Sequence, residues 1–258
     1  MTSWYINKNY PTEIQNAFSD IEKVLSIKEG EIVSASSISQ VIKYTVKNKN
    51  FYIKHYFSRG KKLRKYFGRP RWRAEWENLV FCKQLNICVP NIIAYGVKKR
   101  WFNTKASAGV IITEEVANAL DLKTIATEHG HLLKQPTWRR QLITIIASYI
   151  KSMHQVNFIH YDLQWRNILV TTHSNTPQVY LFDIPSGRKR RFSFKHGVIR
   201  DFYNLYKNAW KFLSRTDCLR FYLLYKGKTA LNNEDKAHIK EILDYFARKE
   251  LKDLLYPD

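Results

Sequence analysis

A short polar loop between two apolar runs sets the strongest limits on how this chain folds. Residues 158–170 read Phe-Ile-His-Tyr-Asp-Leu-Gln-Trp-Arg-Asn-Ile-Leu-Val. The apolar residues on either side are of strand type and are expected to be buried. A loop held at both ends in this way keeps its polar side chains at a fixed separation. We therefore expect Asp162 and Asn167 to be held rigidly, as the site of a chemical reaction requires.

The spacing His-x-Asp-Leu-x-x-x-Asn in this loop is typical of the catalytic loop of kinase-like phosphoryl-transfer enzymes. In such loops the Asp accepts the proton of the attacking hydroxyl group, and the Asn five residues later binds magnesium. Asp162 and Asn167 occupy these two places, and His160 is interpreted as a side chain that braces the loop. Because so short a motif also arises by chance, its partners must occur elsewhere in the chain.

A lysine and a glutamate upstream are the first of these partners. Lys54 ends the strand pattern at 51–54, where kinases place the lysine that contacts the α- and β-phosphates of ATP. A helix is predicted to follow at 72–85, and kinases keep there the glutamate that orients this lysine. We favour Glu75 for this role, with Glu77 as the alternative.

An aspartate downstream completes the predicted metal site. Asp183 ends an apolar strand at 179–182, and lies 183 − 167 = 16 residues beyond Asn167. This is where kinases keep their second magnesium ligand, although the triplet here is Asp-Ile-Pro rather than Asp-Phe-Gly. Asn167 and Asp183 are therefore the predicted metal ligands.

Two segments are candidates for the remaining nucleotide contacts. Residues 34–39, Ser-Ala-Ser-Ser-Ile-Ser, take the place of a glycine-rich loop but contain no glycine. Backbone N–H groups and the hydroxyls of Ser36 and Ser37 are candidate phosphate contacts there. Residues 114–118 are predicted to connect two lobes, so backbone groups of Glu114 and Val116 are candidates to hold the adenine.

The charge balance favours anionic partners. The 43 Lys and Arg against 22 Asp and Glu give 43 − 22 = +21, with basic residues concentrated at 59–73 and 187–196. Nucleic acid, acidic lipid head groups and phosphorylated substrates all fit this sign, as does a merely solvated basic face. No zinc-finger spacing or RNP signature accompanies the basic stretches, so no nucleic-acid partner is expected.

Cysteine usage and hydropathy indicate the compartment. The three cysteines, Cys82, Cys88 and Cys218, have no metal-ligand spacing and favour a reducing environment. No signal peptide is evident, and no apolar stretch approaches the ~20 residues that span a bilayer. We expect a soluble cytoplasmic protein, either free or working at a membrane surface.

The predicted fold class is α+β, in the two-lobed arrangement of protein kinases. Residues 1–116 are predicted to form a leader with one helix around 11–24, followed by a small antiparallel β-sheet lobe with one key helix. Residues 117–258 are predicted to form a larger, mostly helical catalytic lobe. Its main helices are predicted to begin near Thr137 and to cover 200–213, 217–225 and 234–251.

Several stretches resemble the bacterial lipopolysaccharide kinase family, the inner-core heptose and Kdo kinases. They are 30–33 (GEIV), 51–56 (FYIKHY), 73–79 (RAEWENL), 111–115 (IITEE), 160–169 (HYDLQWRNIL), 200–202 (RDF) and 214–221 (SRTDCLRF). The resemblance implies an ATP- and Mg²⁺-dependent kinase that phosphorylates a sugar of the lipopolysaccharide core. Its partners would be the core or its lipid-linked precursor and the anionic inner face of the inner membrane.

Arginines are the candidates for binding the acceptor. Gln164 stands where protein kinases often have a lysine that stabilises the transferred phosphoryl group, so that charge must come from elsewhere. Arg166 is the candidate for this task. In the second basic stretch, Arg188, Arg190 and Arg191 are candidates for binding the acceptor.

Two other interpretations remain open. One is a kinase of the same fold that acts on another acceptor, such as a small molecule or a protein. The other is a non-catalytic basic binding module or pseudokinase, which the missing glycine loop favours. The retention of five polar kinase positions in the expected order favours an enzyme.

Overall fold

The chain folds into two units in the computed structural model, which describes residues 2–57, 69–100 and 103–255. The first unit comprises Met1–Val80 and Pro90–Val116, and the second comprises Phe81–Val89 and Ala117–Asp258. Most of the first basic stretch, residues 59–68, lies outside the described residues. Among the described residues, no helix combines the length and the apolar character that a bilayer-spanning segment requires.

The first unit is built on a six-stranded antiparallel sheet. Its strands are β1 (Thr2–Ile6), β2 (Glu31–Ala35), β3 (Ser39–Val46), β4 (Lys49–Tyr56), β5 (Ile92–Arg100) and β6 (Asn103–Glu114), in the spatial order β1-β5-β6-β4-β3-β2. A hairpin joins β3 to β4. Its two turn residues, Lys47 and Asn48, have φ of 48° and 62°, and such paired positive values suit the twist of a tight hairpin.

The first 29 residues are part of this unit rather than the leader with one helix that we predicted. They form β1, which pairs with β5, and two short helices, α1 (Thr12–Ala17) and α2 (Ile21–Ser26). The single predicted helix is interrupted because Asp20 caps α2, accepting a hydrogen bond of 2.9 Å from the Lys23 N–H. Phe18 turns inward at this break and packs with Phe51 of the sheet.

Helix α3 (Arg71–Gln84) follows, and its first three turns belong to the first unit. The ring of Trp72 lies directly over Gly109 of β6, where a Cβ atom would come within 2.2 Å of it. Trp76 stacks on Tyr95 of β5 with a centroid distance of 4.2 Å. These aromatic contacts fix the rotation of α3 on the sheet and therefore decide which of its glutamates points inward.

The second unit is mostly helical, with two small sheets. Its helices are α4 (Leu122–Glu128), α5 (Gly130–Lys134), α6 (Pro136–Gln155), α7 (Phe194–Phe212), α8 (Arg215–Lys226) and α9 (Asn233–Leu255). Its strands are β7 (Ala119–Asp121), β8 (Phe158–Ile159), β9 (Ile168–Thr171), β10 (Val179–Leu181) and β11 (Arg188–Lys189), which form the sheets β10-β9-β7 and β11-β8.

Helix α7 begins at Phe194, six residues before the predicted start at Arg200. Gly197 weakens the helical pattern in the sequence, but the packing of α7 against β8 requires a residue without a side chain at this position. A Cβ atom at this position would lie 2.7 Å from the buried side chain of Ile159. The missing side chain lets α7 approach β8 closely, and the two elements share an apolar cluster that includes Val198 and Phe202.

Replacing His55 of β4 with leucine tests how the burial of this side chain in the first unit affects stability. Burial lowers the pKa of His55, so below about pH 6.5 the unfolded chain binds a proton at this site that the folded chain does not. The free energy of unfolding therefore falls as the pH falls below about 6.5. We expect His55→Leu to reduce that fall by up to about 1.4 kcal/mol per pH unit, measured by urea unfolding.

The exposed His173 supplies a matched control. His173→Leu should leave the pH dependence of the free energy of unfolding as it is in the wild type. An unchanged pH dependence in His55→Leu would contradict the conclusion that burial lowers the pKa of His55.

Candidate active site

Strand β4 and helix α3 bring Lys54 and Glu75 together within the first unit. Lys54 Nζ lies 2.9 Å from one carboxylate oxygen of Glu75 and 3.1 Å from the other. The Tyr56 hydroxyl donates a further hydrogen bond to this carboxylate, which is buried. Glu77, the alternative, instead accepts bonds from Arg69 and Arg73 at the surface. The structure thus pairs Lys54 with the glutamate that we favoured.

The glycine-free segment 34–39 forms a tight turn between β2 and β3. The Ser36 hydroxyl accepts hydrogen bonds from the N–H groups of Ile38 and Ser39, at 3.3 and 3.1 Å. None of these six residues, all of which are described, has a positive φ. Because no backbone position in the turn needs glycine, this departure from the kinase pattern costs no strain. Both Ser36 and Ser37 are exposed, and the Ser36 hydroxyl is occupied within the turn.

At the end of β6, Glu114 is tied into the first unit by hydrogen bonds. The Glu114 carboxylate accepts hydrogen bonds from Tyr10 at 2.7 Å and Asn91 at 3.2 Å. Burial alone would raise the pKa of Glu114, but bonds from Tyr10, Asn91 and Lys49 outweigh it and lower the pKa. The Glu114 N–H also donates to the Asn91 carbonyl. The side chain and the backbone amide of Glu114 are therefore both hydrogen-bonded within the first unit. Val116, two residues further on, is half-buried.

In the second unit, the polar loop leaves β8, passes through a single 3-10 turn at Trp165–Asn167 and enters β9. The Asn167 side-chain amide donates to the Asp162 backbone carbonyl at 2.8 Å and to its carboxylate at 3.2 Å. Because both of these bonds use its NH₂ group, the Asn167 side-chain oxygen remains as the group suited to a hard cation. The loop therefore holds Asp162 and Asn167 together.

The Asp162 carboxylate is one-third exposed and positioned from several sides. Gln164 donates a hydrogen bond of 2.7 Å to one oxygen, and an Arg166 nitrogen lies 3.8 Å from the other. A partly exposed carboxylate that is fixed in this way can accept a proton from a hydroxyl group beside it. Arg166, the predicted source of positive charge, therefore lies next to the predicted base.

Asp183 lies two residues beyond β10 in a left-handed conformation, with φ of 54°. The Phe182 N–H donates to the Asn167 backbone carbonyl at 3.2 Å, which joins this segment to the loop. Left-handed backbone is costly for residues other than glycine and clusters at functional sites. Asn167 and Asp183 both offer oxygen donors of the type that Mg²⁺ prefers, so the residues present fit this ion.

Asp201 of α7 binds the backbone of the polar loop, a contact that we call the clamp. This role was not predicted from the sequence. One carboxylate oxygen accepts the His160 N–H at 2.8 Å and the other accepts the Tyr161 N–H at 2.7 Å. Asp201 is completely buried. A lone acid within the apolar face of the helix at 198–205 was the available signal. Residues 200–202 resemble the family in sequence, but that resemblance alone indicated no function for this acid.

His160 is also buried inside this clamp. Burial lowers the pKa of His160, although the nearby carboxylates of Asp201, Asp162 and Asp183 oppose the shift. Its Nδ1 atom accepts the Asp162 N–H at 3.3 Å. His160 thus contacts the backbone of the predicted base, as a bracing residue would.

Of the three arginines proposed for the acceptor, two lie against one aromatic ring. Arg188 and Arg190 are 4.7 and 5.8 Å from the centroid of Tyr161, the residue before Asp162. Arg191 is exposed and is not among the described residues that contact this ring. In the first basic stretch, Arg69 and Arg73 are paired with Glu77.

Comparison with known proteins identifies the family. The family model described as "Lipopolysaccharide kinase (Kdo/WaaP) family" matches residues 21–225, well over half of the chain. The chain belongs to this lipopolysaccharide kinase family. Membership confirms the resemblance predicted from the sequence.

Two similar proteins support this conclusion. The lipopolysaccharide core heptose(I) kinase WaaP of Pseudomonas aeruginosa is 24% identical over 160 residues, which cover 59% of this chain and 58% of that protein. The chain therefore matches rather more than half the length of this relative. The solved structure "WaaP in complex with acyl carrier protein" has a TM-score of 0.73 and 18% identity, covering 97% of this chain and 98% of that one. This likeness confirms the predicted α+β, kinase-like fold.

The clamp can be tested by replacing Asp201 with asparagine. The NH₂ group of Asn would face one of the two backbone N–H donors and leave it unpaired. We expect Asp201→Asn to lower the free energy of unfolding by about 2 kcal/mol and to reduce phosphoryl transfer. Urea unfolding and turnover measure the two effects.

The exposed Asp244 of α9 supplies the matched control, and Asp244→Asn should leave both quantities unchanged. Wild-type stability in Asp201→Asn would show that the clamp does not hold the loop.

Proposed function

We propose that this chain is an ATP- and Mg²⁺-dependent kinase that phosphorylates a sugar, heptose or Kdo, of the lipopolysaccharide inner core. One observation carries the proposal beyond family membership. Gln164 and Asn167 fix the partly exposed carboxylate of Asp162 by hydrogen bonds. The buried carboxylate of Asp201 binds the backbone of the same loop. A scaffold protein has no chemical need for this arrangement.

Asp162 is the proposed base. It accepts or orients the proton of the acceptor hydroxyl as that oxygen attacks the terminal phosphorus of ATP. The bond from this phosphorus to the β–γ bridging oxygen breaks, and ADP leaves with the electron pair. Gln164 and Asn167 keep the carboxylate in one orientation, so little reorganisation is needed during transfer. Arg166, at 3.8 Å, is placed to offset negative charge near the carboxylate.

Asn167 and Asp183 are the proposed ligands of the magnesium ion. These two residues would hold the ion, which would supply positive charge to offset that of the ATP phosphates. The Asn167 amide turns its NH₂ group to Asp162 and therefore offers its oxygen. Asp183 lies two residues beyond β10, in left-handed backbone, and its carboxylate offers oxygen donors.

Residues 1–116, most of which lie in the first unit, are proposed to form the nucleotide-binding lobe. Lys54, oriented by Glu75, would hold the α- and β-phosphates. The turn containing Ser36 and Ser37 would cover the phosphates, with the exposed Ser37 as its main contact. The N–H groups of Ser36, Ile38 and Ser39 already donate hydrogen bonds within the turn. Backbone groups in the segment from Glu114 to Val116 would hold the adenine. Residues 117–258 would form the catalytic lobe.

The acceptor is proposed to be the lipopolysaccharide core or its lipid-linked precursor. A net charge of +21 draws an anionic acceptor and an anionic membrane surface towards the protein. Arg188, Arg190 and Arg191 are the proposed contacts with the acceptor. We place the protein in the cytoplasm, peripheral to the inner face of the inner membrane.

Replacing Asp162 with asparagine tests the proposal. Loss of the base should reduce transfer to core oligosaccharide by a factor of roughly 10² to 10⁴. Mg-ATP should still raise the melting temperature, because ligand binding to the folded state is retained. Mass spectrometry of the core after incubation with Mg-ATP measures the phosphate gained.

Asp244→Asn again provides the matched control and should transfer phosphate at the wild-type rate. Near-normal turnover in Asp162→Asn would reject the assignment of the base. A wild-type protein whose melting temperature does not respond to Mg-ATP would favour the non-catalytic alternative.

A further inference from the structure

Three arginines surround the ring of Tyr161, the residue that precedes the proposed base. The guanidinium carbons of Arg188, Arg190 and Arg200 lie 4.7, 5.8 and 5.4 Å from its centroid. Arg190 Nε also donates a hydrogen bond of 2.9 Å to the Tyr161 hydroxyl. We call these three arginines the Tyr161 cluster. They come from two segments, one at β11 and the other in α7.

The positive charge of the Tyr161 cluster has no acidic partner among the described residues. The ion pairs in the described part of the chain include none with Arg188, Arg190 or Arg200. Asp201 follows Arg200 in the chain, but its carboxylate accepts two backbone N–H groups beneath the loop. Three like charges repel one another, so an anion bound among them would be stabilised strongly.

The ring that carries the Tyr161 cluster is itself fixed. Tyr161 has a left-handed backbone, with φ of 67°, and is 8% exposed. Its N–H donates to Asp201 at 2.7 Å, and its carbonyl accepts from Asn204 at 3.1 Å. A fixed ring limits where the arginines can move, so the cluster stays on the residue that precedes Asp162. Arg188 and Arg200 are exposed and Arg190 is half-buried, so an anion can reach them from solvent.

We infer that the Tyr161 cluster is a subsite for an anionic substituent, a phosphate or a carboxylate, carried by the acceptor near the hydroxyl that is phosphorylated. The inference rests on the proposed function, which puts that hydroxyl at Asp162. Guanidinium groups bind the paired oxygens of phosphates and carboxylates through two parallel hydrogen bonds. The subsite adds Arg200 and Tyr161 to the proposed acceptor contacts. It makes the enzyme select acceptors that already carry an anion.

A binding experiment tests the subsite without relying on phosphoryl transfer. Glucose 6-phosphate, glucuronate and glucose are titrated into the full-length protein, and binding is followed by saturation-transfer NMR. We expect at least one of the two anionic sugars to bind about tenfold more tightly than glucose. A preference for the phosphate or for the carboxylate identifies the anion that the subsite takes, and either preference supports the inference.

Substitutions in the cluster decide where the anionic sugar binds. Arg188→Gln and Arg200→Gln should each weaken its binding by about tenfold. Tyr161→Phe should have a smaller effect, because it keeps the ring and loses only the bond to Arg190. The exposed Arg140 of α6 provides the control of equal charge change, and Arg140→Gln should bind the sugar as the wild type does.

A second measurement separates the subsite from the proposed function. With core oligosaccharide as acceptor, Arg200→Gln should raise KM about tenfold and leave kcat nearly unchanged, since it removes binding rather than chemistry. If the wild type transfers no phosphate, and the cluster variants bind the anionic sugar more weakly than the wild type does, the proposed function fails and the subsite stands. Wild-type affinity for the anionic sugar in both Arg188→Gln and Arg200→Gln overturns the subsite.

Discussion

The buried carboxylate of Asp201 holds the backbone of the polar loop in place, and the rest of the second unit's candidate site depends on this contact. Its oxygens accept the N–H groups of His160 and Tyr161, which lie about 40 residues earlier in the chain. In the described part of the chain, His154 is the one basic side chain within ion-pair distance of it, at 3.3 Å. Backbone N–H groups therefore provide much of the compensation for this buried charge. Losing either bond would leave a buried charge or donor unsatisfied, so loop and helix keep one relative position.

Hydrogen bonds to the backbone explain how the candidate site tolerates strain. Tyr161 and Asp183 both adopt left-handed backbone, which is costly for residues other than glycine. Tyr161 is held there by Asp201 and Asn204, and the segment before Asp183 is joined to Asn167 through the backbone. The stability of the surrounding helix and strands maintains these conformations. Asp162 and its neighbours are thereby oriented before any ligand binds, which lowers the reorganisation needed during transfer.

The sequence predicted best the parts of the site that depend on local spacing. Asp162 and Asn167 are five residues apart in one loop, so their proximity follows from the motif. The choice between Glu75 and Glu77 depended on the rotation of α3, which Trp72 and Trp76 set through contacts with distant strands. Asp201 was missed for the same reason, because its partners are remote in sequence. The first 29 residues were underestimated because the pairing of β1 with β5 leaves little local signal.

The placement of charge shows why net charge alone is a poor guide to function. Among the described residues of the first unit, three basic side chains are neutralised locally: Lys43 pairs with Glu115, Lys49 with Glu114, and Arg73 with Glu77. These pairs support the fold and add little attraction for a ligand. In contrast, the Tyr161 cluster concentrates three charges on one fixed ring, without carboxylates in reach among the described residues. Electrostatic attraction is strongest where charge is uncompensated and held rigid. A total of +21 therefore indicates an anionic partner, and the pattern of compensation indicates where on the second unit that partner binds.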